Sequence, residues 1–450
     1  MIRPTSTLLS ARADGRHDGS PVKIGSALAP IVVDLDGTLV ETDTLVESVV
    51  KLIRRSPFSV FQLLFCLALG PAKFKAFVAS RAVVAADLLP YRADLLTYLH
   101  AEKVAGRSIF LATAAHRLIA EQVAKHLGLF HGVIATDKNQ NLKGAAKLAA
   151  IRSQVDGAFI YVGDSSADIP VWLGASEAVM VNASPHVIEA VRKHTPVLRV
   201  FPKVPSSLAT WLRATRVHQW SKNSLLLVPL FTSFEFSSAS SLQSIFVAFL
   251  AFSLAASATY ILNDLWDLEN DRAHPTKQKR PFATGALPID LGLSVAMVAL
   301  ATAATLALLL SPTMLAMLLG YVALTTAYSL VLKSCVLLDV LTLASLYTFR
   351  IFAGSVAISV KTSAWLIAFS MFLFLSLALV KRCDELLKLG KTGKDRAIGR
   401  DYQQSDLLVL WPFGIGAALS AIVVLGPLPL APKPRAATAR QSFFGWLQQA

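Results

Sequence analysis

The stretch IVVDLDGTLVETD, residues 31–43, decides how the first part of this 450-residue chain is read. A β-branched run stops at Asp34 and gives way to a Gly-Thr turn, the mark of a buried strand running out into a loop. Asp34 and Asp36 stand at that exit, and in open parallel sheets ligands bind at the carboxyl ends of strands. Similar short apolar runs recur at 108–113, 133–135, 158–162 and 178–181, with amphipathic stretches between them. That alternation predicts a parallel sheet with crossover helices, a Rossmann-like α/β domain over residues 29–200. Between 43 and 90 the pattern is helical and predicts a cap. Its apolar part, 58–70, is too short to span a bilayer, which takes about 20 residues. It reads as a buried cap helix in preference to an interfacial one.

Outward from this domain the character changes. Residues 1–28 are polar and read as a flexible tail without a signal-peptide core. Residues 201–222 read as a linker and membrane entry. Apolar segments then follow at 224–234 (short), 242–262, 291–310, 313–332, 335–359, 363–380 and 407–425. Most have the length of a bilayer span. They predict an all-α membrane domain of about seven spans over 223–430, followed by a basic tail at 431–450.

The composition agrees. The chain is 54% hydrophobic and only 16% charged, so a soluble protein of this make-up would expose large apolar patches, and disorder is excluded. Lys and Arg number 43 against 29 acids, a formal charge of +14, yet nucleic-acid binders are rich in charge rather than poor in it. The excess is topological. The loops 263–290, 333–334 and 381–406 carry twelve cations and the opposite loops only Lys361, which puts the basic loops and the N-terminal domain in the cytoplasm of a bacterial-type inner membrane. Lys433, Arg435 and Arg440, beyond the last span, run against that rule. Three scattered cysteines, Cys66, Cys335 and Cys383, build neither a disulfide framework nor a zinc site.

The chemistry of the α/β domain follows from its strand ends. One of two neighbouring carboxylates can serve as nucleophile, forming an aspartyl-phosphate, and the other as acid and base. LATAAH, 111–116, ends a strand at Thr113, whose hydroxyl can bind a phosphate oxygen. YVGDSSAD, 161–168, offers Asp164 and Asp168 to Mg²⁺, a hard cation that prefers carboxylates and water. A lysine is needed against the phosphate charge, and Lys143 in NLKG is preferred over Lys147. These four motifs in order resemble the haloacid dehalogenase-like (HAD) hydrolases over residues 29–190. The resemblance implies Asp34 as nucleophile and Asp36 as general acid and base. It also implies Mg²⁺ held by Asp34, Asp164 and the carbonyl of Asp36.

The second chemistry lies in ILNDLWDLENDRAHPTKQKRPFATG, 261–285. Asp264, Asp267 and Asp271 are spaced i, i+3, i+7 and would share one face of a helix, where their mutual repulsion calls for Mg²⁺ carrying a diphosphate. Lys277 and Arg280 follow as phosphate ligands. The motif from Asn263 to Arg272 resembles the first aspartate motif of the UbiA-type intramembrane prenyltransferases, across residues 208–425. The second motif of their aromatic-substrate members is reduced here to Asp339, beside Tyr328, Lys333 and Arg350. That form resembles the polyprenyl-phosphate (decaprenyl-phosphate) phosphoribosyltransferase branch. So do QWSKN at 219–223, containing Lys222, HPTKQKRPFATG at 274–285, and Lys381-Arg382 with Glu385.

In that branch phosphoribosyl pyrophosphate donates and polyprenyl phosphate accepts. The resemblance implies Mg²⁺ on Asp264 and Asp267 with Asp271 or Asp339, and phosphates positioned by Lys277, Arg280, Lys333 and Lys381. Arg350, costly inside an apolar segment, is expected to face a cavity. The expected function is transfer of 5-phosphoribose to polyprenyl phosphate, with the hydrolase removing the 5-phosphate, toward a ribose or arabinose donor for glycan or nodulation-factor arabinosylation. An aromatic prenyltransferase using polyprenyl diphosphate is the alternative. A degenerate, non-catalytic copy is another, because that family usually has nine spans.

Overall fold

The computed structural model describes residues 23–24, 27–138, 140–202, 205–391 and 401–425. Of the tail expected at 1–28, residues 1–22 lie outside the described residues, as does the basic tail at 431–450 with Lys433, Arg435 and Arg440; Lys23–Ile24 and Ala27–Leu28 pair as short strands, which corrects the expectation there. The chain forms two units: Met1–Trp211 with Asp264–Leu291, and Leu212–Asn263 with Gly292–Ala450. The expected cut near residue 200 is therefore corrected. The aspartate-bearing segment between two apolar helices belongs with the α/β unit, and 212–222 with the apolar helices of the second unit.

In the first unit a short pair, β1 (Lys23–Ile24) and β2 (Ala27–Leu28), precedes β3 (Ile31–Val33). Three helices follow, α1 (Thr44–Arg55), α2 (Ser59–Ala68) and α3 (Pro71–Arg81), and then α4 (Ala93–Val104). The remainder alternates: β4 (Ile109–His116), α5 (Arg117–Leu127), β5 (Gly132–Thr136), α6 (Ala145–Gln154), β6 (Ile160–Gly163), α7 (Ile169–Leu173), β7 (Glu177–Val181), α8 (Pro185–Arg192) and β8 (Val197–Phe201). The sheet order is β5-β4-β3-β6-β7-β8, parallel throughout. β8 was not among the expected strands; only Phe201 in it is fully buried, so it lacks the continuous apolar run of an inner strand. Side chains alternate across the sheet: Ile31, Val33, Leu111 and Val162 pack in one core, Val32, Ala112 and Tyr161 in the other. The chain order reverses between β3 and β6, and that switch point opens the crevice into which Asp34 and Asp164 project.

The cap expected at 43–90 is the α1–α3 insertion. α2 corrects the expectation of a buried helix. Leu63 and Cys66 face inward, but Phe58 is 80%, Phe61 70% and Phe65 68% exposed. The interfacial alternative is the one its surface suits.

In the second unit, α9 (Leu208–Ala214) leads into 3₁₀ turns over Val217–Leu227 and the short α10 (Val228–Thr232). The segment expected as a weak first span is thus too short to cross. It lies against α15, where a Cβ on Gly354 would come within 2.2 Å of the Leu226 carbonyl oxygen, so only glycine admits the approach. Among the described residues six helices are long and apolar enough to span, not seven. They are α11 (Ala239–Trp266), α13 (Ile289–Leu310), α14 (Pro312–Ala327) extended by a π-helical turn to Leu332, α15 (Leu338–Ala357), α16 (Ala364–Lys391) and α17 (Leu407–Leu425). A six-residue helix, α12 (Leu268–Ala273), follows α11. α11 and α15 are the most enclosed, and they carry Asp264, Asp339 and Arg350, as expected where intramembrane charge must face protein.

Because Leu111 is fully buried and Phe61 is not, Leu111→Ala should cost about 2–5 kcal/mol and Phe61→Ser less than about 0.5. Amide hydrogen exchange of the β3 and β4 peptides in the full chain reads the difference; equal effects would contradict the inside–outside assignment of these two positions.

Candidate functional site

The candidate site of the α/β unit is built by strand ends. β3 delivers Asp34, whose backbone N–H donates to the Val162 carbonyl at 2.9 Å. β6 ends at Gly163 and delivers Asp164. Gly37 turns the loop with φ +74°, and a Cβ there would sit 2.4 Å from Asp164 Oδ2. The DLDG glycine is therefore required both by backbone conformation and by space. Asp34, Asp164 and Asp168 bring one oxygen each within 4.8 Å of one another, a set of hard oxygen donors suited to Mg²⁺.

Three carboxylates this close need a cation, and it is not the expected one. Lys147 Nζ lies 3.0 Å from Asp34 Oδ2 and 3.0 Å from Asp168 Oδ1. Lys143 is exposed in the loop before α6. The correction has a simple geometry: Lys147 is the third residue of α6 and is buried against the strand ends. Burial would lower Lys147, but Asp34 and Asp168 more than offset it and hold its pKa above the usual lysine value. Asp168 also accepts from the Tyr161 hydroxyl at 2.8 Å, which makes it as much an anchor for Lys147 as a metal ligand.

Burial pushes Asp34 up to about 6, against the opposing pull of Lys147, and Asp164 up to about 7. Asp36 rises furthest, to about 8, through burial and then the neighbouring Asp43. Its Oδ1 accepts from the Thr44 N–H at 2.9 Å, at the start of α1. An acid that retains its proton near neutrality beside one that is tied to a lysine is the division of labour expected of acid and nucleophile. Thr113 is fully buried, and its Oγ1 accepts from Ala115 N–H at 3.0 Å, which leaves the hydroxyl proton to be donated elsewhere. From the cap, Lys75 reaches the Ala114 carbonyl at 2.7 Å and Asn141 at 2.8 Å. Sequence reasoning missed it, since a lysine in a helical stretch carries no motif.

The aspartate segment of the same unit departs from a single helix face. α11 ends at Trp266, the chain turns at Asp267, and α12 begins at Leu268. Arg280 Nη1 then reaches both Asp264 at 3.0 Å and Asp271 at 2.5 Å. Asp267 faces Arg54 of α1 at 3.5 Å instead. The expected three-aspartate face is thus two acids sharing one arginine, with the third aspartate turned aside. Lys277 stands 3.9 Å from Asp271, whose Oδ1 is buried without a hydrogen-bond partner, an oxygen suited to a metal. Burial raises Asp271 and Arg280 lowers it, with burial ahead.

α1 holds this segment with one face. Glu47 accepts two bonds from Arg272, at 2.7 and 2.8 Å, with both side chains buried, and Lys51 pairs with Glu269 at 2.6 Å. A Cβ on Gly285 would meet Glu41 Cβ at 2.6 Å, which explains the glycine ending the FATG tract.

In the second unit, Arg350 is buried and fully engaged: Asn223 Oδ1 at 2.9 Å, the Tyr321 hydroxyl at 2.9 Å and the Leu346 carbonyl at 2.7 Å. It faces inward as expected, but as a tie between elements. Lys222, half-buried, is lowered by burial and then by Arg350, Lys381 and Arg216, a cationic neighbourhood suited to an anion. Asp339 is fully buried, ion-paired with Arg382 and accepting from Tyr402 at 2.6 Å. Its place in a metal set is thus taken by Arg382, a partner that sequence alone did not assign. Tyr328 opens the π-helical turn, half-buried Lys333 follows it, Lys381 is exposed on α16, and Asn263 is half-buried near the end of α11.

Removing one partner of a buried pair costs more than removing both. Arg272→Met should destabilise the segment by about 3–5 kcal/mol, and Glu47→Leu combined with Arg272→Met should recover most of that. Hydrogen exchange over residues 264–291 measures both; a double variant no better than the single would show the pair to be incidental.

With the geometry in place, the chain can be set beside known proteins. Residues 226–437 match the model of the UbiA prenyltransferase family, and residues 31–172 that of the haloacid dehalogenase-like hydrolases. The chain is 38% identical over 410 residues, 90% of its length and 79% of the relative's, to uncharacterized protein y4nM of Sinorhizobium fredii. It is 36% identical to nodulation protein NoeC of Azorhizobium caulinodans, over 50% of this chain and 72% of that protein. With a decaprenyl-phosphate phosphoribosyltransferase of Mycobacterium tuberculosis it shares 33% identity, over 49% of this chain and 75% of that protein. A solved UbiA homolog from Archaeoglobus fulgidus, bound to DMAPP and Mg²⁺, aligns with TM-score 0.40 and 19% identity, covering 48% of this chain and 77% of its own. The chain belongs to the UbiA prenyltransferase family of multi-pass membrane enzymes, with a haloacid dehalogenase-like hydrolase domain preceding that region.

Proposed function

We propose that the membrane region transfers 5-phosphoribose from phosphoribosyl pyrophosphate to a polyprenyl phosphate and that the hydrolase domain then removes the 5-phosphate. The transfer rests on the likeness to proteins named decaprenyl-phosphate phosphoribosyltransferase and on the charges at hand. In it the bond from ribose C1 to the pyrophosphate oxygen breaks, the pyrophosphate leaves with the electron pair, and a polyprenyl-phosphate oxygen bonds to C1. Arg280, steadied by Asp264 and Asp271, offers a guanidinium to phosphate oxygens, and Lys277 lies beside it. Lys222, Lys381 and Lys333 supply further cations in the second unit. Asp264 and Asp271, the latter through its Oδ1, which accepts no hydrogen bond, would hold Mg²⁺, which when bound neutralises the departing diphosphate. Among the described residues Asp339, being committed to Arg382 and Tyr402, forms no second acidic cluster of the kind the aromatic prenyltransferases use.

The dephosphorylation rests on one observation above the others: Asp34 lies 3.0 Å from Lys147 with Asp164 and Asp168 beside it, while burial and the neighbouring Asp43 raise Asp36, two residues on. Asp34 attacks phosphorus as the ester oxygen leaves and takes the proton of Asp36. Asp36 then accepts a proton from the water that cleaves the aspartyl-phosphate. Thr113 donates its hydroxyl to a phosphoryl oxygen, and Lys147 balances the charge. Asp34 and Asp164, with the Asp36 carbonyl, would hold Mg²⁺, which when bound screens the phosphoryl oxygens. The product is a lipid-linked ribose, suited to become a pentose donor for glycan or nodulation-factor arabinosylation. The basic loops and the hydrolase belong on the cytoplasmic face of a bacterial inner membrane.

Labelled phosphoribosyl pyrophosphate supplied to the full chain in vesicles with polyprenyl phosphate should yield labelled lipid and free phosphate. Asp34→Asn should leave the phosphorylated lipid to accumulate, and Asp264→Asn should lower transfer at least about 100-fold. Labelled lipid from polyprenyl diphosphate and an aromatic acid, with none from phosphoribosyl pyrophosphate, would sink the reading. Lys147→Met should cut phosphate release by about 10²–10³, whereas Lys143→Met should change it less than about threefold. The reverse order would restore Lys143 to the site.

A further inference from the structure

The hydrolase crevice does not end at the carboxylates. It widens into a cavity of about 620 Å³, within the range of sites for whole small molecules and far larger than a phosphate needs. Its lining includes Asp36 from the loop after β3, Asp164 from the loop after β6, and Thr284, Ala286, Pro288 and Asp290 from the stretch after Arg280.

Two features of this cavity point to a ligand. Arg92, only 4% exposed, pairs with Glu41 through its terminal nitrogen at 3.2 Å, but its Nε is buried without a partner. Asn182, just past β7, has a left-handed backbone at φ +52°, points its Nδ2 at the Gly37 carbonyl at 3.4 Å, and leaves Oδ1 buried and unsatisfied. Both residues line the cavity, and buried polar atoms are normally hydrogen-bonded, so this donor and this acceptor call for partners that the described residues do not supply. The rest of the lining sharpens this. Among the described residues no aromatic ring lines the cavity, and none of them offers a face on which a base or a phenyl group could stack. Its polar groups are mainly acceptors and hydroxyls, from Glu41, Thr42, Ser206 and Thr210, and these call for a ligand rich in hydroxyl donors.

We propose that the cavity is a sugar subsite: it takes the polyhydroxylated, non-aromatic part of a phosphate monoester, with Asn182 Oδ1 accepting from a hydroxyl and Arg92 Nε donating to an oxygen. Residues 284–290, which follow the transferase's aspartate segment, contribute to its lining. This rests on the phosphatase reading of Asp34 and Asp36 and adds to it the residues that would recognise the sugar of its substrate. A free sugar phosphate and a lipid-linked one share this chemistry.

The test is binding, so that it stands apart from turnover. The full chain carrying Asp34→Asn, in nanodiscs with Mg²⁺, is titrated with ribose 5-phosphate, phenyl phosphate and inorganic phosphate, and in a second arm with polyprenyl-phosphoryl 5-phosphoribose. At least one of the two sugar esters should bind tenfold or more tighter than phenyl phosphate and inorganic phosphate. Selectivity in both arms, or for the lipid-linked ester alone, identifies the source as lipid-borne; selectivity for ribose 5-phosphate alone identifies a free sugar phosphate. Asn182→Gly, which suits the positive φ, and Ala286→Trp, which fills the cavity from an exposed position in its lining, should each bring the ratio to within about threefold of one. A ratio near one in the parent, a ratio that survives both substitutions, or no phosphate ester bound at all would overturn the proposal. Selective binding by a chain whose native form releases no phosphate would uphold the subsite and sink the phosphatase reading; phosphate release without selectivity would do the opposite.

Discussion

Buried carboxylates must be matched by cations, and in this chain a single cation typically serves more than one acid. Lys147 lies between Asp34 and Asp168, Arg280 between Asp264 and Asp271, and Arg382 between Asp339 and Glu385. An isolated buried charge costs several kcal/mol, on the order of what stabilises a whole domain, so these cations decide which acids can gather. Where acids still outnumber the cation, as with Asp34, Asp164 and Asp168 around Lys147, the site keeps a negative surplus that a metal can neutralise. Around Asp339 the partners Arg382 and Tyr402 satisfy the carboxylate, and it is the weakest candidate for a ligand role.

The same constraint governs the membrane helices. Charge is tolerated on α11 and α15 because those helices are enclosed by protein, whereas α13 and α14, whose surfaces are mostly outward, carry apolar residues along their lengths. Arg350 illustrates the rule. Each of its three donor nitrogens has a partner, one of them the Asn223 amide from the non-spanning segment that Gly354 allows to approach α15.

The segment from Asp264 to Leu291 joins the two chemistries. It carries the family's aspartates, yet α1 of the hydrolase grips it through Glu47 and Lys51, and Gly285 fits against Glu41. A bidentate buried pair fixes orientation as well as distance. Arg272 is thereby committed to Glu47, and Arg280 is left as the guanidinium serving the aspartates.

Much of this was legible beforehand. The strand at 31–33, the DLDG turn, the cap, the apolar spans and the three aspartate motifs follow from local rules: period-two burial, the conformational freedom of glycine, and the length of a bilayer crossing. What the sequence by itself determined was therefore the kind of fold and the identity of the acids, since both depend on neighbours in the chain. The partners of those acids were decided only in three dimensions. Lys147 displaces Lys143 because the third position of α6 is buried against the strand ends, and Asp267 leaves its fellow aspartates because the helix breaks there and Arg54 stands opposite. Asn182 and Arg92, far apart in sequence, come to line one cavity, each with a buried unpartnered atom, only through the folding of the sheet. Such pairings depend on long-range packing, for which no spacing along the chain is a guide.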